Sequence, residues 1–204
     1  MIKAIFTDLD GVIRHWDNQS LHAVEASYQL PKGFLFQHAF TKELLLPTVT
    51  GRQTHDDWTQ QIEAALRAKI DASIVQHLLS VWNESPWSVD VRIIEAFRSV
   101  APEAKLILVT NATDRLNRDL QAAQIAESFD FIVNSSEVGF AKPDVRFYLA
   151  AMSVAGVEAC EALYIDDAEE NVAAARKLGA RAVLFCDCKQ ALSELRSLAQ
   201  SHST

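Results

Sequence analysis

Five short apolar runs recur along the chain, and amphipathic stretches separate the last four of them. The runs lie at residues 4–6, 106–109, 131–133, 162–165 and 182–185, and most are rich in β-branched or aromatic side chains. Such runs are typical of strands buried in a parallel sheet. Helical periodicity covers residues 114–127, 144–155 and 168–178, and Gly179 follows the last of these as a helix C-terminal signal. The alternation predicts an α/β fold: a Rossmann-like parallel sheet with helices on both faces.

Residues 18–86 break this alternation, because they contain no convincing strand. Their periodicity predicts four helices, at residues 21–30, 34–45, 54–69 and 72–83. A further helix is predicted over residues 89–100. We therefore expect a core domain made of residues 1–17 and 87–204, carrying an inserted α-helical domain of residues 18–86. The hinges between the two are expected near residues 13–18 and 84–88.

Composition narrows the class of protein. The chain has 204 residues, of which 49% are hydrophobic, so it can build a substantial core and is not intrinsically disordered. The formal net charge is −8 and no Lys/Arg cluster is present, which argues against nucleic-acid and membrane surfaces as partners. Three cysteines are too few for a disulfide framework, and with no signal-peptide pattern we expect a cytoplasmic protein. We expect a monomer or a homodimer.

Polar residues follow four of the predicted strands. The first strand leads into Asp8 and Asp10, the second ends at Thr110-Asn111, the third feeds a loop that reaches Lys142, and the fourth ends at Asp166-Asp167. Open α/β sheets bind ligands at the carboxyl ends of their strands, so these side chains should converge on one rim.

Four carboxylates on one rim repel each other, at a cost of about 4 kcal/mol for two charges 4 Å apart at an effective dielectric near 20. A divalent cation relieves that repulsion, and an all-oxygen ligand set suits Mg²⁺. A cation, a lysine and backbone amides together can bind and stabilise a phosphoryl group. One carboxylate can then act as a nucleophile and another can transfer protons.

Each of these residues also has a purely structural explanation. Asp8 and Asp10 can form a turn, and Thr110-Asn111 or Asp166-Asp167 can cap the helices that follow them. Lys142 can be a solvated loop residue. The convergence of all four segments favours a functional site.

The same residues resemble the haloacid dehalogenase superfamily. The matching motifs are Asp8-Leu9-Asp10-Gly11-Val12, Thr110, Lys142 within the segment 139–144, and Asp166-Asp167 followed by Asn171. The resemblance covers residues 1–15 and 88–190. The insertion resembles the helical cap that this superfamily places just after its first motif.

The resemblance implies a role for each matching position. Asp8 would be the nucleophile, and Lys142 would screen it from the incoming anion. Asp10 would protonate the leaving alkoxide and then activate water, while its backbone carbonyl binds Mg²⁺. The phosphate oxygens would be held by Thr110 and by the amides of Asn111 and Ala112. The metal would be held by Asp8, Asp166 and Asp167, with Asp167 favoured over Asp166 for the direct contact.

The second aspartate of the first motif, Asp10, favours a phosphatase, because dehalogenases of the superfamily generally lack it and an alkoxide leaving group needs a proton. We therefore expect a Mg²⁺-dependent phosphatase of a small phosphorylated metabolite, such as a sugar phosphate. A phosphomutase is the alternative, followed by a 2-haloacid dehalogenase or a non-catalytic binding protein. Residues 50–58 are expected to face the site from the insertion, where Arg52 holds a second anionic or hydroxyl group or is plain surface.

Overall fold

The computed structural model describes residues 1–200, with side chains described to residue 197. The predicted core domain runs to residue 204, so its last four positions lie outside the described residues. The strands are β1 Ala4–Thr7, β2 Arg14–Trp16, β3 Trp87–Val89, β4 Lys105–Thr110, β5 Phe131–Asn134, β6 Ala162–Asp166 and β7 Arg181–Leu184. Five of these form one parallel sheet in the order β5-β4-β1-β6-β7, which confirms the predicted α/β fold.

Helices cover both faces of this sheet. In chain order they are α1 Gln19–Ser27, α2 Phe34–Ala39, α3 Lys42–Val49, α4 His55–Arg67, α5 Ala72–Asn83, α6 Val91–Val100, α7 Leu116–Ala122, α8 Ser135–Val138, α9 Val145–Ala155, α10 Glu169–Lys177 and α11 Cys188–Gln200. Helices α6, α7 and α11 share one buried apolar cluster with Ile5 of β1, and α9 and α10 share another with Phe6. Neighbouring residues of a strand point to opposite faces, so β1 is buried on both sides.

Residues 18–86 form helices α1 to α5, which have a third apolar cluster of their own around Leu21, Trp58, Ile62 and Leu78. A buried carboxylate supports it: Glu25 accepts hydrogen bonds from the backbone N–H groups of Gly33 (2.7 Å) and Leu35 (3.0 Å). These donors belong to the first turn of α2, where helix N–H groups have no partner within the helix. Glu25 therefore fixes α2 against α1.

Four predicted helices differ from the structure. The helix predicted over residues 21–30 ends at Ser27, because Gln29 has a φ of 57°. The helix predicted over residues 34–45 is wrong, because Thr41 adopts an extended backbone that ends α2 and begins α3. The helix predicted over residues 114–127 is too long, because Gln124 has a φ of 56° and stops α7 there. The helix predicted from residue 89 begins at Val91, because Val89 belongs to β3. Helix α11 and the short helix α8 were not predicted.

The chain passes twice between the core and the insertion, and the two connecting segments pair with each other as strands. Strands β2 and β3 form an antiparallel ribbon in which Arg14 lies opposite Val89 and Trp16 opposite Trp87. This ribbon, which was not predicted, starts four residues after Asp10 and therefore links the first motif directly to the insertion. Among the described residues, no helix combines the length and the apolar character needed to cross a bilayer.

Candidate active site

A buried lysine lies between two carboxylates at the carboxyl ends of β1 and β6. The Nζ of Lys142 is 2.9 Å from Oδ2 of Asp8 and 2.6 Å from Oδ2 of Asp166, and it donates to the carbonyl of Val109 at 3.2 Å. All three residues are less than 10% exposed. Each comes directly from a strand end or from the loop after α8, so the sheet topology brings them together.

A third carboxylate completes the cluster. Oxygens of Asp8, Asp166 and Asp167 all lie within 4.8 Å of one another. Asp166 is further held by the backbone N–H of Ala168 (3.0 Å) and by Nδ2 of Asn171 (2.9 Å), whereas Asp167 faces outward. The two neighbouring aspartates thus differ: one is fixed within the fold and the other is available at the surface of the site.

The charges within this cluster are unbalanced. Burial, together with the neighbouring charge of Asp166, raises the pKa of Asp8 to about 6, although Lys142 opposes the shift. Burial, followed by the charge of Asp166, also raises the pKa of Asp167. Burial by itself would lower the pKa of Lys142, but the two adjoining carboxylates outweigh it and raise that pKa. One ammonium for three carboxylates leaves an excess of negative charge that a divalent cation would neutralise.

The residues present fit a Mg²⁺ ion. Carboxylate oxygens are the ligands this ion prefers, and Oδ1 of Asn171 is a further buried oxygen that has no partner among the described residues. Gly11 leaves the room that Asp167 occupies: it has a φ of 81°, and a Cβ there would lie 1.9 Å from Oδ2 of Asp167. The cluster is therefore a candidate metal site built from Asp8, Asp166 and Asp167.

The carboxylate of Asp10 lies outside this three-carboxylate cluster. Its Oδ1 accepts from Nε of Arg14 (2.7 Å) and from Nε1 of Trp16 (2.8 Å), and its Oδ2 accepts from Nη2 of Arg14 (2.8 Å). Arg14 is buried, contacts Asp119 at 3.2 Å and stacks on Trp16 at 4.9 Å. Sequence reasoning missed Arg14, although its four-residue spacing from Asp10 is a visible signal. The metal contact predicted for the backbone carbonyl of Asp10 stays a prediction.

The predicted phosphate-binding segment lies beside Lys142. Thr110 is buried at the end of β4, and the side-chain amide of Asn111 makes two bonds to the backbone of Lys142, at 2.8 and 2.9 Å. The backbone N–H of Ala112 donates to Oγ of Ser135 at 3.1 Å, so binding a phosphate oxygen there requires exchange of that bond. Ser135 was not predicted. The phosphate-binding roles of these residues stay predictions.

The insertion reaches the core through residues 50–58. The backbone N–H of His55 donates to Asp114 (2.9 Å), and its ring Nε2 lies 2.9 Å from Nη1 of Arg115. Burial, followed by the charge of Arg115, lowers the pKa of His55, so its neutral ring accepts this bond. Gly51, with a φ of 69°, allows a close approach to the core, since a Cβ there would meet the carbonyl of Ser136 at 2.0 Å.

Arg52 does not line the cavity between core and insertion, unlike His55 and Trp58 of the same segment. It is exposed, and its Nε donates to Oγ1 of Thr50 at 3.1 Å. Within residues 1–197, whose side chains the structure describes, Arg52 is not among those that line the cavity between core and insertion. Its contact with a second anionic or hydroxyl group stays a prediction.

That cavity has a volume of about 340 Å³ and opens next to the motifs of the core. Asp10, Asn111 and Ala112 are among the core residues that line it, and side chains of the insertion line the other side. The size is within the range of small-molecule sites, about 300–1,000 Å³. The arrangement can hold an anionic group at the carboxylate–lysine cluster while the remainder of the same molecule occupies the cavity.

Comparison with curated proteins finds relatives of mixed activity. Bifunctional epoxide hydrolase 2 of Sus scrofa is 26% identical over 97% of this chain, and the match spans 39% of that protein. Phosphoserine phosphatase of Thermus thermophilus is 39% identical over 38% of this chain and 32% of its own length. The chain thus spans well under half of the length of these relatives.

Solved structures show the same fold. A family enzyme from Bacteroides thetaiotaomicron, in complex with magnesium and inorganic phosphate, is 19% identical with a TM-score of 0.67, covering 90% of this chain and 93% of that one. L-2-haloacid dehalogenase from Xanthobacter autotrophicus is 22% identical with a TM-score of 0.62, covering 89% and 76%. The family model for haloacid dehalogenase-like hydrolases matches residues 2–179. That match takes in all four strand-end motifs and every strand of the sheet except β7, and the chain belongs to the haloacid dehalogenase-like hydrolase family.

Proposed function

We propose that the protein is a magnesium-dependent phosphatase that hydrolyses small phosphate monoesters through an aspartyl-phosphate on Asp8. The observation that carries the proposal is the buried Asp8–Lys142–Asp166 cluster beside Asp167, with Asp10 at the edge of the adjoining cavity. Bound Mg²⁺ would supply positive charge that offsets the three carboxylates and the charge on the phosphoryl group.

Asp8 is held as a nucleophile should be. Its Oδ1 accepts from the backbone N–H of Leu9 at 2.8 Å, and its Oδ2 faces Lys142 at 2.9 Å. The two donors fix the carboxylate plane, and the ammonium reduces its repulsion of an approaching phosphate dianion. With a pKa of about 6 the carboxylate is mostly ionised at neutral pH, as attack on phosphorus requires.

Asp10 is placed to handle the proton. In the first step an oxygen of Asp8 bonds to phosphorus, the bond from phosphorus to the ester oxygen breaks, and Asp10, once it has turned from Arg14 and taken up a proton, gives that proton to the departing alkoxide. In the second step Asp10 takes a proton from water, the water oxygen bonds to phosphorus, and Asp8 is released together with inorganic phosphate. Asp10 borders the cavity, where the alcohol would lie, and Arg14 and Trp16 orient its carboxylate.

The comparisons support this reading in two ways. One relative over part of the chain is a phosphoserine phosphatase, and one structure of the same fold holds magnesium together with inorganic phosphate. The fold also occurs in a haloacid dehalogenase, which keeps carbon–halogen cleavage as the second candidate.

The test is release of inorganic phosphate from an aryl phosphate by the purified protein with Mg²⁺. We expect turnover that stops on chelation and that Asp8→Asn abolishes. Asp71→Asn is the matched control: this exposed aspartate caps α5, asparagine caps equally well, and activity should be unchanged. Turnover that survives both chelation and Asp8→Asn would refute the proposal.

Single turnover in ¹⁸O-labelled water separates the remaining chemistries. A phosphatase places the label in inorganic phosphate, because water attacks phosphorus. Carbon–halogen cleavage forms an ester on Asp8 that water opens at the carboxyl carbon, so the label enters Asp8. A phosphomutase returns the phosphoryl group to a substrate hydroxyl and yields an isomerised ester with little free phosphate.

A further inference from the structure

The cavity beside Asp10 has an apolar outer wall. The insertion contributes Phe36, Phe40, Leu45, Val49, Trp58 and Trp82 to it, and the β2 strand adds Trp16. A sugar phosphate carries hydroxyl groups that must find hydrogen-bond partners when they are buried. These apolar side chains offer no such partners. The lining also includes polar side chains, but its apolar surface is the larger part and favours a hydrocarbon group; the polar ones are Asn18, His55, Asn83, Asn111 and Thr113.

Three of these side chains form a rigid aromatic group. Phe40 meets Trp58 and Trp82 edge to face at centroid distances of 5.5 and 6.5 Å, and the two tryptophans meet at 5.5 Å. Phe40 nevertheless remains 49% exposed. A large aromatic ring that lines a cavity and stays half exposed presents apolar area that a ligand can cover.

The charges that line the cavity cancel. Arg14 and Arg115 are its two cations, and Asp10 and Asp119 are its two carboxylates. Arg14 contacts Asp10 at 2.7 Å and Asp119 at 3.2 Å, and Arg115 lies 3.7 Å from Asp119. With two charges of each sign in contact, the cavity has no net attraction for a second anionic group on the substrate.

We propose that the natural substrates are phosphate monoesters of apolar alcohols, with the phosphoryl group at Asp8 and an alkyl or cyclic hydrocarbon group against Phe40, Trp58 and Trp82. This inference rests on the proposed phosphatase function and replaces the sugar phosphates expected from sequence. The cavity is assigned to the alcohol part of the substrate because Asn111 lines the cavity and also bonds the backbone of Lys142, so the cavity lies beside the cluster.

The decisive comparison uses cyclohexylmethyl phosphate and glucose 6-phosphate. Both are esters of a primary alcohol on a six-membered ring, and they differ chiefly in their hydroxyl groups. We expect kcat/KM to favour cyclohexylmethyl phosphate by at least about tenfold, and kcat/KM to rise from methyl to hexyl phosphate by up to about fourfold per CH₂ group, the ratio that ~0.8 kcal/mol gives. Equal rates, or a preference for glucose 6-phosphate, would overturn the inference.

Phe40→Ala locates the effect in the cavity. We expect it to lower kcat/KM for hexyl phosphate by about tenfold or more and to leave methyl phosphate unchanged. Leu149→Ala is the matched control, because Leu149 is an apolar side chain 52% exposed on α9, away from the cavity. If Phe40→Ala leaves kcat/KM unchanged for both hexyl and methyl phosphate, the assignment is refuted.

A binding measurement provides a readout apart from catalysis. Hexylphosphonate and methylphosphonate cannot be hydrolysed at phosphorus–oxygen ester bonds, and Trp16, Trp58 and Trp82 report occupancy of the cavity through their fluorescence. We expect a saturable change with hexylphosphonate, tighter than with methylphosphonate and weakened by Phe40→Ala. If no phosphate ester is hydrolysed, the phosphatase proposal itself fails. If esters are hydrolysed but chain length changes neither rate nor binding, only the present inference fails.

Discussion

The two sides of the candidate site differ in the interactions that build them: buried charges on the core side and aromatic packing on the insertion side. On the core side, Asp8, Lys142 and Asp166 are buried ions held a few ångströms apart, with more negative than positive charge. On the insertion side, aromatic rings pack edge to face, and the charges at their border cancel. Under the proposed function, the core side would carry out chemistry common to many substrates, whereas the insertion side would decide which alcohol is accepted.

The two sides also contribute differently to the free energy of folding. The buried ions of the core side have lost their hydration, and this lowers the stability of the fold. Removing one ion of the cluster leaves its partner buried without an opposite charge. The aromatic side gains stability from the apolar area that it buries. Substitutions should accordingly have different signatures on the two sides, and four predictions follow in decreasing order of expected effect.

The largest effect is expected for Asp8→Asn, which should lower kcat by at least about 10⁴-fold, the scale seen when a catalytic nucleophile is removed. The same substitution should raise the free energy of unfolding of the metal-free protein, because it neutralises a buried acid whose pKa is raised. Activity assays and urea titrations measure the two effects. A variant that is both inactive and less stable would contradict the cost assigned to the core side.

Lys142→Ala should lower the free energy of unfolding by about 3–5 kcal/mol, since it leaves Asp8 and Asp166 buried without their shared cation. Saturating Mg²⁺ should restore part of the loss by binding the two carboxylates that the substitution leaves without a cation. Urea denaturation with and without Mg²⁺ checks both statements. Unchanged stability would show that the cluster is not electrostatically coupled.

Glu25→Gln tests a buried carboxylate in the insertion. We expect a loss of about 1–3 kcal/mol, because an amide cannot accept well from both Gly33 and Leu35. Phosphate release by the folded variant should keep its kcat, since Glu25 belongs to the packing of α2 and not to the chemistry. A fall in kcat without a fall in the free energy of unfolding would contradict a purely structural role for Glu25.

The smallest effects are pH dependences of opposite sign in metal-free protein. Asp8 has a raised pKa, so its contribution to stability is present below about pH 4 and is lost as the pH rises through about 6. His55 has a lowered pKa, so its contribution is present above about pH 6.5 and is lost as the pH falls below that value. Unfolding free energies from pH 4.5 to 8 should lose the first slope in Asp8→Asn and the second in His55→Gln. Slopes that persist in the variants would reject these assignments.

The strand-end residues could be predicted because the topology of a parallel sheet determines where they lie. A buried apolar run followed by Asp8, or by Asp166 and Asp167, places carboxylates at the same rim, and the structure has them within 4.8 Å. Their catalytic and metal-binding roles stay predictions.

The β2–β3 ribbon and the cavity could not be predicted in this way. Trp16 pairs with Trp87 across more than 70 residues, and no local pattern announces so short a strand. Phe40 lies in the break between α2, which ends at Ala39, and α3, which begins after the extended residue Thr41; the continuous apolar periodicity concealed this break, which lets Phe40 meet Trp58. The convergence of the carboxylates could therefore be predicted from the sequence, and the shape of the cavity could not.

The central claim is that Asp8 carries the phosphoryl group during turnover. The most direct measurement is rapid acid quenching of the protein with Mg²⁺ and a phosphate monoester, followed by mass spectrometry of the peptide that contains Asp8. The account predicts one added phosphoryl group on Asp8, absent in Asp8→Asn and retained in Asp71→Asn. Turnover without that adduct under any quench time, or an adduct on another residue, would contradict it.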